Sequence, residues 1–160
     1  MKKSISVDLS SKGISDLQKW LGEYDKWLKT KSEELCKRLA DMGATKAEVN
    51  FLSAVYDGEE DSKVEVIPQG ELCYKVRASG YTVLFVEFGT GLIGGGHPEA
   101  SANNMGPGTY PGKGRWDDPN GWYYAHGKHS HGNPPNMPMY NAVKELEQDL
   151  ERVVKEVFEL

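Results

Sequence analysis

The chain has little of what marks a disulfide-stabilised, membrane-spanning or nucleic-acid-binding protein. Only two cysteines, Cys36 and Cys73, occur among 160 residues. They have neither Cys-x-x-Cys spacing nor the partners of a zinc site, which favours two reduced thiols over a disulfide. No apolar run approaches the roughly 18 residues that span a bilayer, and the first residues lack the apolar segment of a signal peptide. The 19 basic and 24 acidic side chains give a net charge of −5. This charge argues against a nucleic-acid-binding protein, because such proteins neutralise phosphates with clustered Lys and Arg. We therefore expect a soluble, cytoplasmic protein that binds neither membranes nor specific nucleic acids.

A hydrophobic fraction of 38% and a charged fraction of 27% are typical of a folded chain, and the length suits a single domain, residues 1–160. The composition changes abruptly at residue 89. Residues 89–137 contain 12 of the 18 glycines, 6 of the 8 prolines and all 4 histidines. Because Gly and Pro interrupt helices, this segment is predicted to be a long loop inserted between residues 1–88 and residues 138–160.

The segment before the loop begins with a predicted strand at residues 4–9. A long helix should follow, with a possible capping box at Ser15 and an end at Gly43. Its apolar residues recur at intervals of three, four or seven, which predicts a stripe that faces the core. The members of this stripe are Ile14, Leu17, Leu21, Tyr24, Leu28, Leu35, Leu39 and Met42.

Three segments with period-two alternation, residues 49–56, 63–67 and 72–79, predict an antiparallel meander with one buried face. The apolar run 81–88 is either a strand or a short helix. An amphipathic helix is predicted from Pro138 onward, with apolar positions at Met139, Val143, Leu146, Leu150, Val153 and Val157. The expected elements are a long N-terminal helix, a small antiparallel sheet, a long loop rich in Gly, Pro and aromatic residues, and a C-terminal amphipathic helix.

Four histidines in the loop are the strongest candidates for chemistry. They are His97, His126, His129 and His131. The last three have ligand-like spacing and the first lies in the same loop, so a metal-binding hydrolase is one alternative function. The Gly, Ser, Lys and Asn neighbours of these histidines provide little rigid support for a metal, so we expect no metal site and no cofactor.

Large aromatic rings in the loop offer a second alternative. Such rings can stack on sugars or anchor protein interfaces, and Trp116 with Trp122 would serve a carbohydrate-binding module. The rings can equally hold the loop against its own domain. Glu87 is the one charge inside the apolar run, and we expect it to pair with a basic group such as Arg77 or to face a subunit interface.

Several short motifs occur in a characteristic order. They are Val-Glu-Phe-Gly-Thr-Gly at 86–91, His97-Pro98, Gly-Trp-Tyr-Tyr at 121–124 and Asn-Pro-Pro-Asn-Met-Pro-Met-Tyr-Asn-Ala at 133–142. Together with the helix that follows, the chain resembles the small tail-component, or neck, family of long-tailed bacteriophages and prophages. Residues 7–14 and 76–80 are similar to the branch found in phages of Gram-positive hosts. The chain departs from the family pattern at Met139, where Phe is usual, and at Asn136, where Arg is common.

The resemblance implies an α+β fold, in which the long N-terminal helix and the C-terminal amphipathic helix pack on the small antiparallel sheet. It also implies a structural virion protein of the head–tail junction: a neck, tail-completion or minor tail component that is not an enzyme. Its implied partners are further copies of itself, as a ring-type homo-oligomer, and other phage neck and tail proteins. It would occupy the host cytoplasm during assembly and then the virion neck or tail. The candidate motif and interface residues are Glu87, Phe88, Gly89, Thr90, His97, Pro98, Trp116, Trp122, Tyr123, Tyr124, Pro138 and Met139.

Overall fold

The computed structural model describes residues 6–56, 58–59, 61–91, 93–94, 97–98, 119–123 and 127–159. The predicted α+β class is confirmed, with a long N-terminal helix, a C-terminal helix and a small antiparallel sheet. The elements in chain order are α1 (Ser11–Leu52), β1 (Lys63–Gly70), β2 (Cys73–Ser79), α2 (Val83–Phe88), β3 (Thr90–Gly91), β4 (Trp122–Tyr123), β5 (His129–Ser130), β6 (Gly132–Asn133) and α3 (Pro138–Phe158).

Helix α1 starts earlier than predicted. The hydroxyl of Ser10 accepts a hydrogen bond from the Gly13 N–H at 3.2 Å, so Ser10 caps the helix and the capping box expected at Ser15 is wrong. The strand expected at residues 4–9 is also wrong for residues 6–9, which form no strand. The two residues before them lie outside the described part of the chain.

Helix α1 also continues past Gly43, its predicted end, and includes the first part of the predicted strand 49–56. Both predictions are wrong because packing outweighs the local signals. Ala44, Ala47 and Phe51 recur at helical spacing and are buried in the core, and Gly43 is itself buried. The expected three-stranded meander is therefore a two-stranded hairpin.

Strands β1 and β2 pair antiparallel, with Val64 opposite Ala78 and Val66 opposite Val76. Side chains along β2 alternate between exposed and half-buried, so the predicted single buried face is confirmed. Leu72, which was expected to continue that face, lies in the turn with a φ of 56° and is exposed.

The undecided run 81–88 forms helix α2. The carboxylate of Asp61, from the segment before β1, accepts hydrogen bonds at its start: from the Tyr81 N–H at 2.8 Å and the Thr82 N–H at 3.0 Å. The Thr82 hydroxyl donates to the same carboxylate at 2.5 Å. Asp61 thus satisfies backbone donors that the short helix leaves unpaired.

Helices α1 and α3 pack antiparallel. The Asn50 side chain donates to the carbonyl of Pro138 at 3.2 Å, while the Trp27 ring meets the Phe158 ring edge-on at 5.8 Å. Between these two ends lie the ion pairs of Lys46 with Glu145 and Asp149, and of Arg38 with Glu156.

The amphipathic helix predicted from Pro138 is confirmed, but its buried line differs from the predicted stripe. Pro138, Ala142, Val153 and Val157 are buried. Two predicted stripe members, Val143 and Leu150, are exposed instead. The core between the helices and the hairpin comprises Ala44, Ala47, Phe51, Val64, Val83, Val86 and Ala142, with Ala54, Tyr56, Val66, Val76, Ala78 and Met139 packed around them.

The predicted stripe of α1 faces the core only in its C-terminal part. Leu35, Leu39 and Met42 are half-buried, and the first fully buried residue of the helix is Ala40. The earlier stripe members include Ile14, Leu21 and Leu28, which are 47%, 49% and 39% exposed. Three of the eight members of the expected core face of α1 are therefore exposed.

Cys36 and Cys73 are free thiols, as predicted. Within the described residues, the structure has no helix with the length and hydropathy needed to cross a membrane.

Candidate functional site

The two ends of the predicted loop meet in the body of the protein. Strand β3 pairs antiparallel with β6, so Thr90 lies opposite Asn133. The Thr90 hydroxyl accepts from the Asn133 backbone N–H at 3.1 Å and from its side-chain amide at 3.3 Å. Both residues are buried. The loop prediction is therefore wrong at its ends, which are built into the fold.

Two glycines make this close approach possible. Gly89 has a φ of 77°, and a Cβ placed on it would lie 2.7 Å from the Pro135 nitrogen. At Gly132, with a φ of 110°, a Cβ would lie 1.9 Å from the Thr90 carbonyl oxygen. A side chain at Gly132 would displace the backbone of β3.

Glu87, a residue of helix α2, lies against the start of helix α3 and is buried. Its Oε2 accepts from the Met139 N–H at 2.8 Å, and its Oε1 accepts from the Tyr140 N–H at 3.1 Å. The N-cap residue of α3 is Met137, whose side chain makes no capping hydrogen bond. The carboxylate of a distant residue therefore performs the capping, and its negative charge is favoured at the positive end of the helix dipole.

His97 completes this arrangement. Its Nε2 lies 3.1 Å from Glu87 Oε1, and because both carboxylate oxygens also accept backbone N–H groups, the hydrogen bond is completed by the imidazole tautomer that donates from Nε2. The imidazole is buried, with its centroid 4.3 Å from that of Phe88 and 5.6 Å from that of Tyr140. We call Glu87, Phe88, His97 and Tyr140 the Glu87 cluster.

The expected pairing of Glu87 with Arg77 is wrong. Arg77 hydrogen-bonds Glu65 on the neighbouring strand instead, because the two residues are directly opposite in the β1–β2 register. Within the described residues, the hydrogen-bond partners of Glu87 are two backbone N–H groups and one imidazole. A buried carboxylate with both oxygens engaged in this way fixes the start of α3.

Asn136 joins the end of α1 to this region. Its Oδ1 accepts from the Val55 N–H at 2.8 Å, and its Nδ2 donates to the Val55 carbonyl at 3.0 Å. Its backbone N–H donates to the Val86 carbonyl at 2.9 Å. Asn136 thus connects the segment that follows α1, helix α2 and the start of α3.

A shallow surface pocket of about 460 Å³ lies beside the Glu87 cluster. The Lys144 ammonium, at its edge, lies 5.7 Å from the centroid of the Tyr140 ring and forms an ion pair with Glu147 at 3.1 Å. The residues that line the pocket are Glu87, Phe88, His97, Met139, Tyr140, Val143, Lys144 and Glu147.

The other predicted site residues are dispersed. Tyr123 is exposed on β4, and its ring lies 4.6 Å from that of His129. His129 Nε2 lies 2.7 Å from the Asn120 carbonyl oxygen, and the His131 ring is 4.7 Å away. Pro98 lies on the surface in a turn, and Met139 packs on the core. Trp116, Tyr124 and His126 lie outside the described residues, as does the side chain of Trp122, whose backbone forms β4.

Among the side chains that the structure describes, no group of three His, Cys, Asp or Glu is arranged to hold a metal ion. His97 takes part in the Glu87 cluster, while His129 and His131 meet each other on the β4–β5 side.

Sequence reasoning did not identify Asp61 or the pairing partners of Asn133 and Asn136. Their partners are about 20 to 80 residues away in the chain, so no local spacing reveals them. The available signal was the position of both asparagines beside Pro134 and Pro135, where backbone groups lack their usual partners.

In comparisons with known proteins, no family model, no curated protein and no solved structure matches this chain.

Proposed function

We propose that the chain is a structural subunit of the head–tail junction of a long-tailed phage or prophage, and that it acts by assembly with copies of itself and with neighbouring neck or tail proteins. The motifs that resemble the tail-component family are the starting point. The proposal assigns those motifs to the construction of the subunit rather than to catalysis.

The observation that carries the proposal is the contact between the two main motif segments, residues 86–91 and 133–142. They form one hydrogen-bonded unit in which Glu87 caps α3 and Thr90 pairs with Asn133. Motif residues that are this far apart in sequence, and that contact each other through buried polar groups, support a role in fixing the subunit's shape. A virion component depends on such a shape because each copy must present the same surfaces.

The genetic test uses the phage or prophage that encodes the chain. Deleting its coding sequence should give full heads and separate tails in the lysate, seen by electron microscopy, and supplying the chain in trans should restore joined virions. A complementing copy with Glu87→Ala should restore fewer virions than one with Glu151→Ala, an exposed α3 residue. Normal virions without the chain would contradict the proposal.

Native mass spectrometry of the purified protein, with and without zinc, separates the proposal from the metal-binding hydrolase. We expect a metal-free multimer. A monomer that holds one zinc ion tightly, and loses it on replacement of His129 and His131, would favour the hydrolase.

A further inference from the structure

The first half of α1 extends past the end of α3. Residues 6–8 lie against the first turns of α1, where they line a pocket of about 350 Å³ together with Leu17 and Trp20. At 1.5 Å per residue, the 42 residues of α1 span about 63 Å, and the 21 residues of α3 span about 31 Å. Helix α3 ends where Phe158 meets Trp27. We call residues 11–28 the N-terminal arm; it is about 27 Å long and has no fully buried residue.

The arm carries an apolar seam that resembles a coiled-coil surface. Its members recur at alternating intervals of three and four residues, as the a and d positions of two heptads do: Ile14, Leu17, Leu21, Tyr24 and Leu28. Trp20 and Trp27 stack on Tyr24, with ring centroids at 5.4 and 5.6 Å. The seam is exposed at Ile14, Leu21 and Leu28 and half-buried at Leu17 and Tyr24, and an apolar surface of this kind is typical of an interaction site.

The start of the arm is capped by Ser10, but its middle contains Gly22, which is a poor helix former. The apolar seam, if covered, supplies the packing that most helices in proteins depend on.

The charges of the arm favour a second copy of the same arm as its partner. Three lysines and three acidic residues cancel within residues 11–28, so the net charge of −5 lies on the rest of the chain. Two copies that meet through their arms avoid the repulsion between their acidic surfaces. The cancelling charges are Lys12, Lys19 and Lys26 with Asp16, Glu23 and Asp25.

We propose that the N-terminal arm is the self-association surface of the protein, and that two copies pair through the seam of Ile14, Leu17, Leu21, Tyr24 and Leu28. The proposal rests on the proposed function in that it names a contact used for assembly. It does not depend on the identity of the virion partners.

The test is sedimentation equilibrium of the purified full chain over a wide range of concentrations. Leu21→Lys places a charge in the middle of the seam, and it should raise the dissociation constant at least about tenfold. Leu52→Lys is the matched control, because Leu52 is 82% exposed and lies at the other end of the same helix. Both variants should keep the wild-type circular dichroism, since neither leucine is buried.

Concentration-dependent association that Leu21→Lys weakens and Leu52→Lys leaves unchanged supports the proposal. A wild-type protein that stays monomeric at every concentration overturns it, as does association that both variants weaken equally or that Leu21→Lys does not change. The two proposals are distinguishable. If the purified protein is monomeric but deletion of its coding sequence still leaves phage heads and tails unjoined, the arm contact is rejected and the proposed function stands.

Discussion

Removal of the Glu87 carboxylate should destabilise the protein far more than removal of a surface carboxylate. In Glu87→Ala the Met139 and Tyr140 N–H groups and His97 Nε2 all lose their acceptor. An unsatisfied buried donor costs about 1–3 kcal/mol. Water can enter the vacated space and reduce this cost, so we expect a loss of about 3–5 kcal/mol in the free energy of unfolding.

Glu87→Gln separates charge from shape. The amide oxygen can still accept from one N–H group, but the amide nitrogen would face the other as a second donor, and the favourable charge at the helix dipole is lost. We expect about 1–3 kcal/mol of destabilisation, between the wild type and the alanine variant.

Urea denaturation followed by far-ultraviolet circular dichroism measures these changes. The control is Glu151→Ala, which removes an exposed carboxylate paired with Lys155 on the same helix and should cost no more than about 0.5 kcal/mol. If Glu87→Ala were no more destabilising than the control, the interpretation of Glu87 as the cap of α3 would be refuted.

Three further changes test other parts of the structure. Gly132→Ala should lower the free energy of unfolding by about 3 kcal/mol or more, because its Cβ would lie 1.9 Å from a carbonyl oxygen. The control is Gly127→Ala, at a position that also has a positive φ but has open space around it. It should cost only about 1–2 kcal/mol in the same urea assay. Gly22→Ala should raise helix content and stabilise by about 0.5–1 kcal/mol, since its Cβ would meet nothing within 4 Å, and an unchanged melting curve with unchanged amide exchange in the arm would contradict this. The hydrogen bond from the Thr82 hydroxyl, followed by two backbone N–H donors, holds the pKa of Asp61 below its ordinary value of 3.8. The stabilisation of the fold by ionised Asp61 is therefore complete above the unfolded-state pKa and disappears as the pH falls through the lower folded-state pKa. Asp61→Asn should flatten part of the fall in unfolding free energy below about pH 4. A pH dependence identical to that of the wild type would contradict this role of Asp61.

The sequence predicted best where the signal was periodic and long. Helix α3 and the single buried face of the hairpin followed from spacing, and the α+β class agrees with the fold that the family resemblance implied. Gly43 and the alternation after Val49 misled, because the burial of Ala47 and Phe51 on the sheet decides where α1 ends, and that packing is not encoded locally.

The candidate site was predicted as a set of residues but not as a geometry. Glu87 stood out as a charge in an apolar run, and a charged side chain was sought as its partner. Its partners proved to be His97 and the first N–H groups of a helix more than 50 residues later. The backbone N–H groups that lack partners are those of the first turn of α3. This turn follows the left-handed Met137, and only the folded structure places it beside Glu87.

The pairing of α1 with α3 has a consequence for how the chain folds during synthesis. Contacts such as Asn50 with Pro138 and Arg38 with Glu156 join residues 88 and 118 positions apart, so the surface of α1 is made long before the helix that covers it. Loops of this length close slowly relative to local structure. A nascent chain therefore carries the α3-facing surface of α1 uncovered until α3 has emerged from the ribosome, and during that interval this surface is exposed to aggregation.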